Sequence, residues 1–416
     1  MVAPFLPDDE KLAAVRGALP ALGAGIYLNT GSVGPLPAET AAAMAELVDY
    51  ELRIGRSHPD YWEGFLERMG EARASVAAVL GADVGEIALV HSTSQAMNAA
   101  VWSVDLEPGD RIVTTQAEHP GGLGPVHVAA ARAGAELVIV DVGLGGDDAG
   151  TLAALEAAIT DRTRIVALSH VLWTSGARLP IREIADLAHR RAAPGVRVIV
   201  DGAQAVGAIP VSVAELGVDF YAVPGQKWLL GPEGTGALWC DPAIVADSRP
   251  TNSSWFTFER LSAGEALVWP DSRRFDDSGH YRPGITGLAR SCGWLSMYIG
   301  LPWIHERGQT MARRAADRLA AIDGVELLTP RDRMATLVTF RIAGWTPDEA
   351  LGELSGRVFA IARSIPALAA IRLSIGFFTS VEEIERVAAI VELLAAHTPA
   401  TLPPRPRLTI LGQGEG

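Results

Sequence analysis

Residues 198–207 read VIVDGAQAVG, and they close an apolar, β-branched run (VRVIV, 196–200) on Asp201 and Gly202. A short run of this composition is what a strand covered on both faces requires. In open α/β sheets, ligands gather outside the carboxyl ends of such strands. An aspartate at that point serves equally well as the N-cap of a following helix, so the rest of the chain must decide between a ligand contact and a cap.

From about residue 85 the same pattern recurs. The runs EIALVH, RIVTT, AELVIVDV, TRIVALSH, VRVIVDG, VDFYAV and TGALWC alternate with alanine-rich stretches of helical period such as SQAMNAAVWSV and IREIADLAHRR. The alternation predicts an α/β fold: a large, mostly parallel seven-stranded sheet with helices on both faces. Upstream, PAETAAAMAELVDYELRIG and DYWEGFLERMGEARASVAAVLG read as two long amphipathic helices. Residues 245–285 lose periodicity and are rich in Trp, Ser, Asp and Arg, which predicts a long loop region over a site. Beyond it, helical and strand patterns alternate in a smaller α+β unit. The division expected is an N-terminal segment (1–25), a large unit (26–285), a small unit (286–400) and a Pro-rich, loosely held tail (401–416).

The bulk composition excludes several functions. A net charge of −14 over 416 residues, with no clustered Lys and Arg, argues against a nucleic-acid partner. No stretch is apolar for the length of a membrane span, and the N-terminus lacks a signal-peptide pattern, so a cytoplasmic protein is expected. Cys240 and Cys292 have no partners at metal-ligand spacing and read as packed thiols; no metal site is expected.

A nicotinamide site fails on inspection. GLGGDDAG (143–150) lies outside the first βα unit, has Asp148 where the third glycine belongs, and would repel a pyrophosphate with its two acids. A different set falls at successive strand ends: Thr93 and Ser94, His119 in AEHPGG, Asp201 with Gln204, and Lys227 in PGQKWLLGPEGTG. These supply what pyridoxal 5′-phosphate needs: an amine, a carboxylate for the ring nitrogen, a flat ring to stack on, and hydroxyls with helix amides for the phosphate. Asp201 would keep the pyridine nitrogen protonated, because a nearby carboxylate raises the pKa of a cationic acid.

DGAQAVG, AEHPGG and GQKWLLGPEGTG, with YLNTGSVGPLP (27–37) and IRLSIGFFTSVEEIERV (371–387), together resemble the class V aminotransferase family of fold type I pyridoxal-phosphate enzymes. The resemblance implies that Lys227 binds the cofactor covalently, His119 stacks on it, Asp201 pairs with the pyridinium and Gln204 touches the phenolic oxygen. It also implies that Thr93 and Ser94 hold phosphate beside Gln226, which stands where the family usually has His. Members are generally homodimers. The family threonine that reaches the partner's phosphate aligns with Gly279, leaving Ser278 as a substitute. FAIARSIPALAAIRLS (359–374) lacks the cysteine that desulfurases carry there, and Trp173 in SHVLWTSG is similar to the cystine C-S lyases. Arg363 is the expected anchor for a substrate carboxylate. Arg372 is either structural or meets a second carboxylate, and Asn29 and Trp173 complete the substrate side. The resemblance implies a C-S β-lyase acting on an L-cysteine derivative; an epimerase of the isopenicillin N type, an aminotransferase and an oxidative deaminase remain alternatives. The epimerase needs a second acid, which residues 245–285 could supply through His280.

Overall fold

The chain is described here from a computed structural model covering residues 6–405. In order, α1 (Asp8–Gly17), β1 (Ile26–Tyr27), α2 (Ala38–Ile54) and α3 (Pro59–Leu80) lead into the sheet region. It comprises β2 (Ile87–Val90), α4 (Thr93–Trp102), β3 (Arg111–Thr115), α5 (Pro120–Ala133), β4 (Glu136–Val140), α6 (Asp148–Ala158), β5 (Thr163–Ser169) and α7 (Ile181–Arg191). It continues through β6 (Arg197–Asp201), α8 (Val213–Leu216), β7 (Phe220–Pro224) and β8 (Gly236–Cys240). The seven strands β2 to β8 form one sheet in the order β2-β8-β7-β6-β5-β3-β4. All neighbours pair parallel except β8, which runs antiparallel to both β7 and β2. The α/β fold expected from the seven apolar runs is the fold observed.

Both faces of β6 are buried because its side chains alternate between two cores. Val198 and Val200 pack with Val113 and Val166 on one side, and Ile199 packs with Ile112 and Ile165 on the other. Burying a Val or Ile side chain fully contributes about 1.5–3 kcal/mol, so the register that delivers Asp201 to the sheet's edge is strongly specified.

The remaining chain forms a hairpin of β9 (Phe258–Leu261) and β10 (Ala266–Val268), then α9 (Arg282–Gly293) and α10 (Leu301–Ala320). It ends with β11 (Val325–Leu327), β12 (Leu337–Ile342), α11 (Pro347–Val358), β13 (Ala360–Ile361), β14 (Arg363–Ile365), β15 (Ala370–Ser374) and α12 (Val381–Ala395). A second sheet has the antiparallel order β11-β12-β15-β14 over its own core, which includes Val338, Phe340, Leu373 and Val391. Ile26 and Leu28 also belong to this core, and β1 pairs parallel with β13. The N-terminal loop is thereby carried from the small sheet to the ends of the large one. Residues 245–285 are not a pure loop, since they include the β9–β10 hairpin. Of the tail, residues 401–405 lie against α11, where Arg405 pairs with Glu353 at 2.9 Å. Residues 406–416 lie outside the described residues. Among the described residues, no helix is long and apolar enough to cross a membrane.

Candidate active site

Thr93, Ser94, His119, Trp173, Asp201, Gln204, Gln226, Lys227, Arg363 and Arg372 line one cavity of about 230 Å³. Ten of the twelve expected residues therefore meet at the carboxyl ends of the parallel strands. Asn29 stands just behind the wall, where it accepts a hydrogen bond from Ser32 Oγ at 2.8 Å. Ser278 is exposed outside the cavity. A larger groove of about 630 Å³ beside Asn98, Trp102 and Arg132 brings together no comparable set of titratable groups.

Lys227 lies in the turn that leaves β7. Leu230 closes that turn at φ 54°, a left-handed conformation that costs a bulky residue on the order of 1–3 kcal/mol. Leu230 N donates to Lys227 O at 3.1 Å, and Ser291 Oγ donates to Leu230 O at 2.9 Å. Gly34 N donates to Gln226 O at 2.7 Å from the other side. Any Cβ at Gly34 would collide with the Lys227 carbonyl, so only glycine lets the N-terminal loop lie on the turn. The Lys227 amine is lowered to about 8, chiefly by burial and with smaller help from Arg372 and Arg363, while Asp201 opposes the shift.

Asp201 ends β6, and its Oδ1 accepts from Ala203 N at 2.8 Å. That contact is the capping role considered at the outset, but it occupies one oxygen only; Oδ2 makes no hydrogen bond. Burial holds the Asp201 carboxyl above the usual carboxylate range, against the pull of Lys227 and Ala203 N. Gln204, one turn on, is pinned at both ends: Nε2 donates to Gly31 O at 2.8 Å and Oε1 accepts from Trp228 Nε1 at 3.0 Å. Its second amide hydrogen is still free to donate.

His119 caps α5, with Nδ1 accepting from Gly121 N at 3.0 Å. The ring is therefore neutral with its hydrogen on Nε2, which agrees with a pKa lowered to about 4, first by burial and then by Lys227, Arg363 and Arg372. Trp173 meets it edge to face at 5.3 Å. Ser92 caps α4 by accepting from Gln95 N at 3.2 Å, which leaves the first amides of α4 pointing into the cavity as an anion site. The hydroxyl of Thr93 is buried there without a partner. A Cβ on Gly121 would lie 2.5 Å from Ser94 Oγ, so glycine keeps this cradle open.

The substrate side differs from the sequence expectation in its emphasis. Arg372 is 1% exposed; Nη1 donates to Trp173 O at 2.7 Å, while Nε and Nη2 have no partner. Arg363 is half-buried, donates to Ser32 Oγ at 3.0 Å and stands over the Trp173 ring at 5.6 Å. The two arginines are cross-strand partners in the β14–β15 register. Like charges directly opposite one another are destabilising; burial, and then Arg363, lowers the Arg372 guanidinium to about 9.

Sequence reasoning missed the wall contributed by Gly31 and Ser32; the glycines of YLNTGSVGPLP were the available signal. No residue of 245–285 lines the cavity, contrary to the loop expected over it. His280 is also absent from the wall: it is buried against His91 with ring centroids 4.4 Å apart. Cys240 and Cys292 are free and buried, and neither reaches the cavity. Burial pushes the Cys292 thiol up to about 12 and raises that of Cys240 further still.

Fold and cavity together define a pyridoxal-phosphate enzyme of fold type I. The sequence matches aminotransferase class-V over residues 26–387, and the chain belongs to that family. It is 31% identical over 341 residues to a probable cysteine desulfurase of Mycolicibacterium paratuberculosis, covering 78% of this chain and 48% of the relative, so it spans about half that relative's length. It is 30% identical to the isopenicillin N epimerase of Streptomyces clavuligerus, covering 89% of this chain and 95% of the epimerase. Among solved structures it resembles the cystine C-S lyase C-DES in complex with its product cysteine persulfide. The TM-score is 0.85 at 26% identity, covering 90% of this chain and 99% of that one. A mutant of the same lyase has been seen with glycine covalently linked to the PLP cofactor.

Proposed function

We propose that the chain is a C-S β-lyase that acts on an L-cysteine derivative bearing a second carboxylate, such as cystine. Elimination releases a thiol or persulfide, and the aminoacrylate left behind takes up one water to give pyruvate and ammonia. The observation that carries this reading is the Arg363–Arg372 pair, two guanidiniums opposed across neighbouring strands on the wall that holds Lys227. Such a pair calls for anionic partners, and arginine takes carboxylates through two parallel hydrogen bonds. Arg372, with Nε and Nη2 unpartnered at the base of the cavity, is assigned the carboxylate of the reacting amino acid. Arg363, nearer the surface, is assigned the second one. This reverses the order expected from sequence.

Orphaned Thr93 Oγ1, the open cradle at Gly121 and the free Oδ2 of Asp201 fit pyridoxal 5′-phosphate. Lys227 would hold it covalently, Asp201 its ring nitrogen, Gln204 its phenolic oxygen, His119 its face, and Thr93, Ser94 and Gln226 its phosphate side. Bound there, the cofactor supplies an electron sink for the pair left when a Cα proton is removed. Once the substrate amine has displaced it, the freed Lys227 amine, lowered to about 8 first by burial, would be the base placed to take that proton. Arg372 fixes the orientation of the Cα–H bond, and Trp173 walls the side chain. The electron pair from Cα then expels sulfur from Cβ.

Racemisation requires a second acid on the opposite face. His119 is neutral with Nδ1 engaged, and His280 is not in the wall. The missing acid favours the lyase over the epimerase, and the absence of a cysteine from the wall argues against a desulfurase. We also propose a homodimer, as the family resemblance implies; Ser278, exposed outside its own cavity, would then be available to the cavity of a second copy. Incubating the PLP-loaded protein with cystine and assaying pyruvate and persulfide tests the reading; absence of both would overturn it.

A further inference from the structure

Directly before His119 lies a carboxyl group that the reading above leaves without a task. Glu118 is 7% exposed, and both its oxygens are engaged: Thr115 Oγ1 donates to Oε1 at 2.6 Å and Ser169 Oγ donates to Oε2 at 2.6 Å. Thr115 ends β3 and Ser169 ends β5, so the carboxyl ties two strand ends together beneath the His119 loop. Ser169 is also the register partner of Asp201 across β5 and β6. Acceptance from two hydroxyls at this distance is the geometry of an ionised carboxylate, since O–H···O⁻ bonds run about 2.5–2.7 Å.

We propose that Glu118 is a positioning residue that acts through Asp201: its carboxylate, clamped behind the ring-nitrogen aspartate, places a second negative charge in series and so strengthens the hold of the site on the ring-nitrogen proton. The inference rests on the assignment of the cavity to pyridoxal phosphate. Beside the pair, the Lys227 amine acts on Asp201; the other groups are those that face Glu118. From β6, Asp201 is the charged group that acts on it. His119, on its own loop, and His170, which follows β5, are both neutral near pH 7, lowered to about 4 first by burial. Tyr221 on β7, hydrogen-bonded to His170 Nδ1 at 2.8 Å, stays protonated because burial raises its pKa well above the usual value. Burial raises the Glu118 carboxyl to about 7 against the pull of its two hydroxyl partners. It is therefore ionised on the alkaline side of neutrality and loses its charge below.

A negative charge raises the pKa of a neighbouring cationic acid, so its removal must lower it. The test is a pH titration of the 15N resonance of the ring nitrogen in protein loaded with 15N-labelled PLP, for wild type, Glu118→Gln, Glu118→Asp and Ser169→Ala, with thermal midpoints recorded beside it. Glu118→Gln keeps the side-chain shape and should move the spectral midpoint down by about one pH unit, a tenfold change in proton affinity. Ser169→Ala weakens the charge and should shift it less, in the same direction. Glu118→Asp, which keeps the charge, should remain nearer to wild type. A merely structural Glu118 would change the thermal midpoint and leave the spectral one in place, which overturns the inference. If Glu118→Gln does not fold, an unmoved midpoint in Ser169→Ala overturns it alone. A wild-type protein that takes up no PLP overturns the cofactor assignment itself.

Discussion

Arg372→Ala should be the most damaging single change on the substrate side. Arg372 offers Nε and Nη2 with no partner inside the chain, so a bound carboxylate receives a fork of two charge-assisted hydrogen bonds. Each is worth about 1.5–3 kcal/mol, and with incomplete additivity the pair should cost about 3 kcal/mol when removed. That is roughly a 150-fold loss in kcat/KM. Arg372→Lys should recover little of it, because an ammonium cannot reproduce the fork. Arg363→Ala should cost about tenfold with cystine, in keeping with one weaker contact in a half-exposed setting, and almost nothing with a cysteine derivative that lacks the second carboxylate. The assay is steady-state pyruvate release from cystine and from an S-alkylcysteine, with the visible spectrum confirming that each variant holds cofactor. The reasoning is refuted if Arg363→Ala is the more damaging change with both substrates, or if Arg372→Ala leaves kcat/KM within a few-fold of wild type.

Lys227→Ala should fold, bind PLP without a covalent link and lose turnover; steady turnover with a normal visible band would remove the lysine from its role. Asp201→Ala should keep cofactor but turn over at least 100-fold more slowly, as expected for a poorer electron sink, and near wild-type rates in steady-state assays would contradict this. Gly121→Ala places a Cβ 2.5 Å from Ser94 Oγ and should weaken PLP binding at least tenfold by equilibrium dialysis; unchanged affinity would move the phosphate elsewhere. With cofactor removed, the Lys227 amine titrates near 8 and only its neutral form attacks. The rate of PLP uptake should therefore rise from pH 6 to about 8 and level off above, whereas a flat profile across that range would place the lysine pKa elsewhere.

Much of this site was legible because its residues fall at the ends of apolar runs. VRVIVD announces a buried strand with a carboxylate at its tip, and VDFYAVPGQK does the same for the lysine. What the sequence could not show depends on tertiary register. Arg372 sits on β15, between β12 and β14, while Arg363 sits on the edge strand β14, and nothing in the linear order says which is buried. The walls from Gly31 and Ser32 come from a loop almost 200 residues from the lysine, carried there by the pairing of β1 with β13. The aperiodic stretch 245–285 read as a long loop over the site, yet polarity without period reports exposure and not position. Glu118 escaped notice beside His119, although the polar ends of RIVTT and TRIVALS were its signal: hydroxyls closing two apolar strands need a buried acceptor.

The central claim is elimination at Cβ, and incubation of the PLP-loaded protein with cystine in deuterated water tests it most directly. The account predicts stoichiometric pyruvate and a sulfur product, with recovered cystine unracemised. Deuterium at Cα of racemised substrate without pyruvate would contradict it and establish an epimerase in its place.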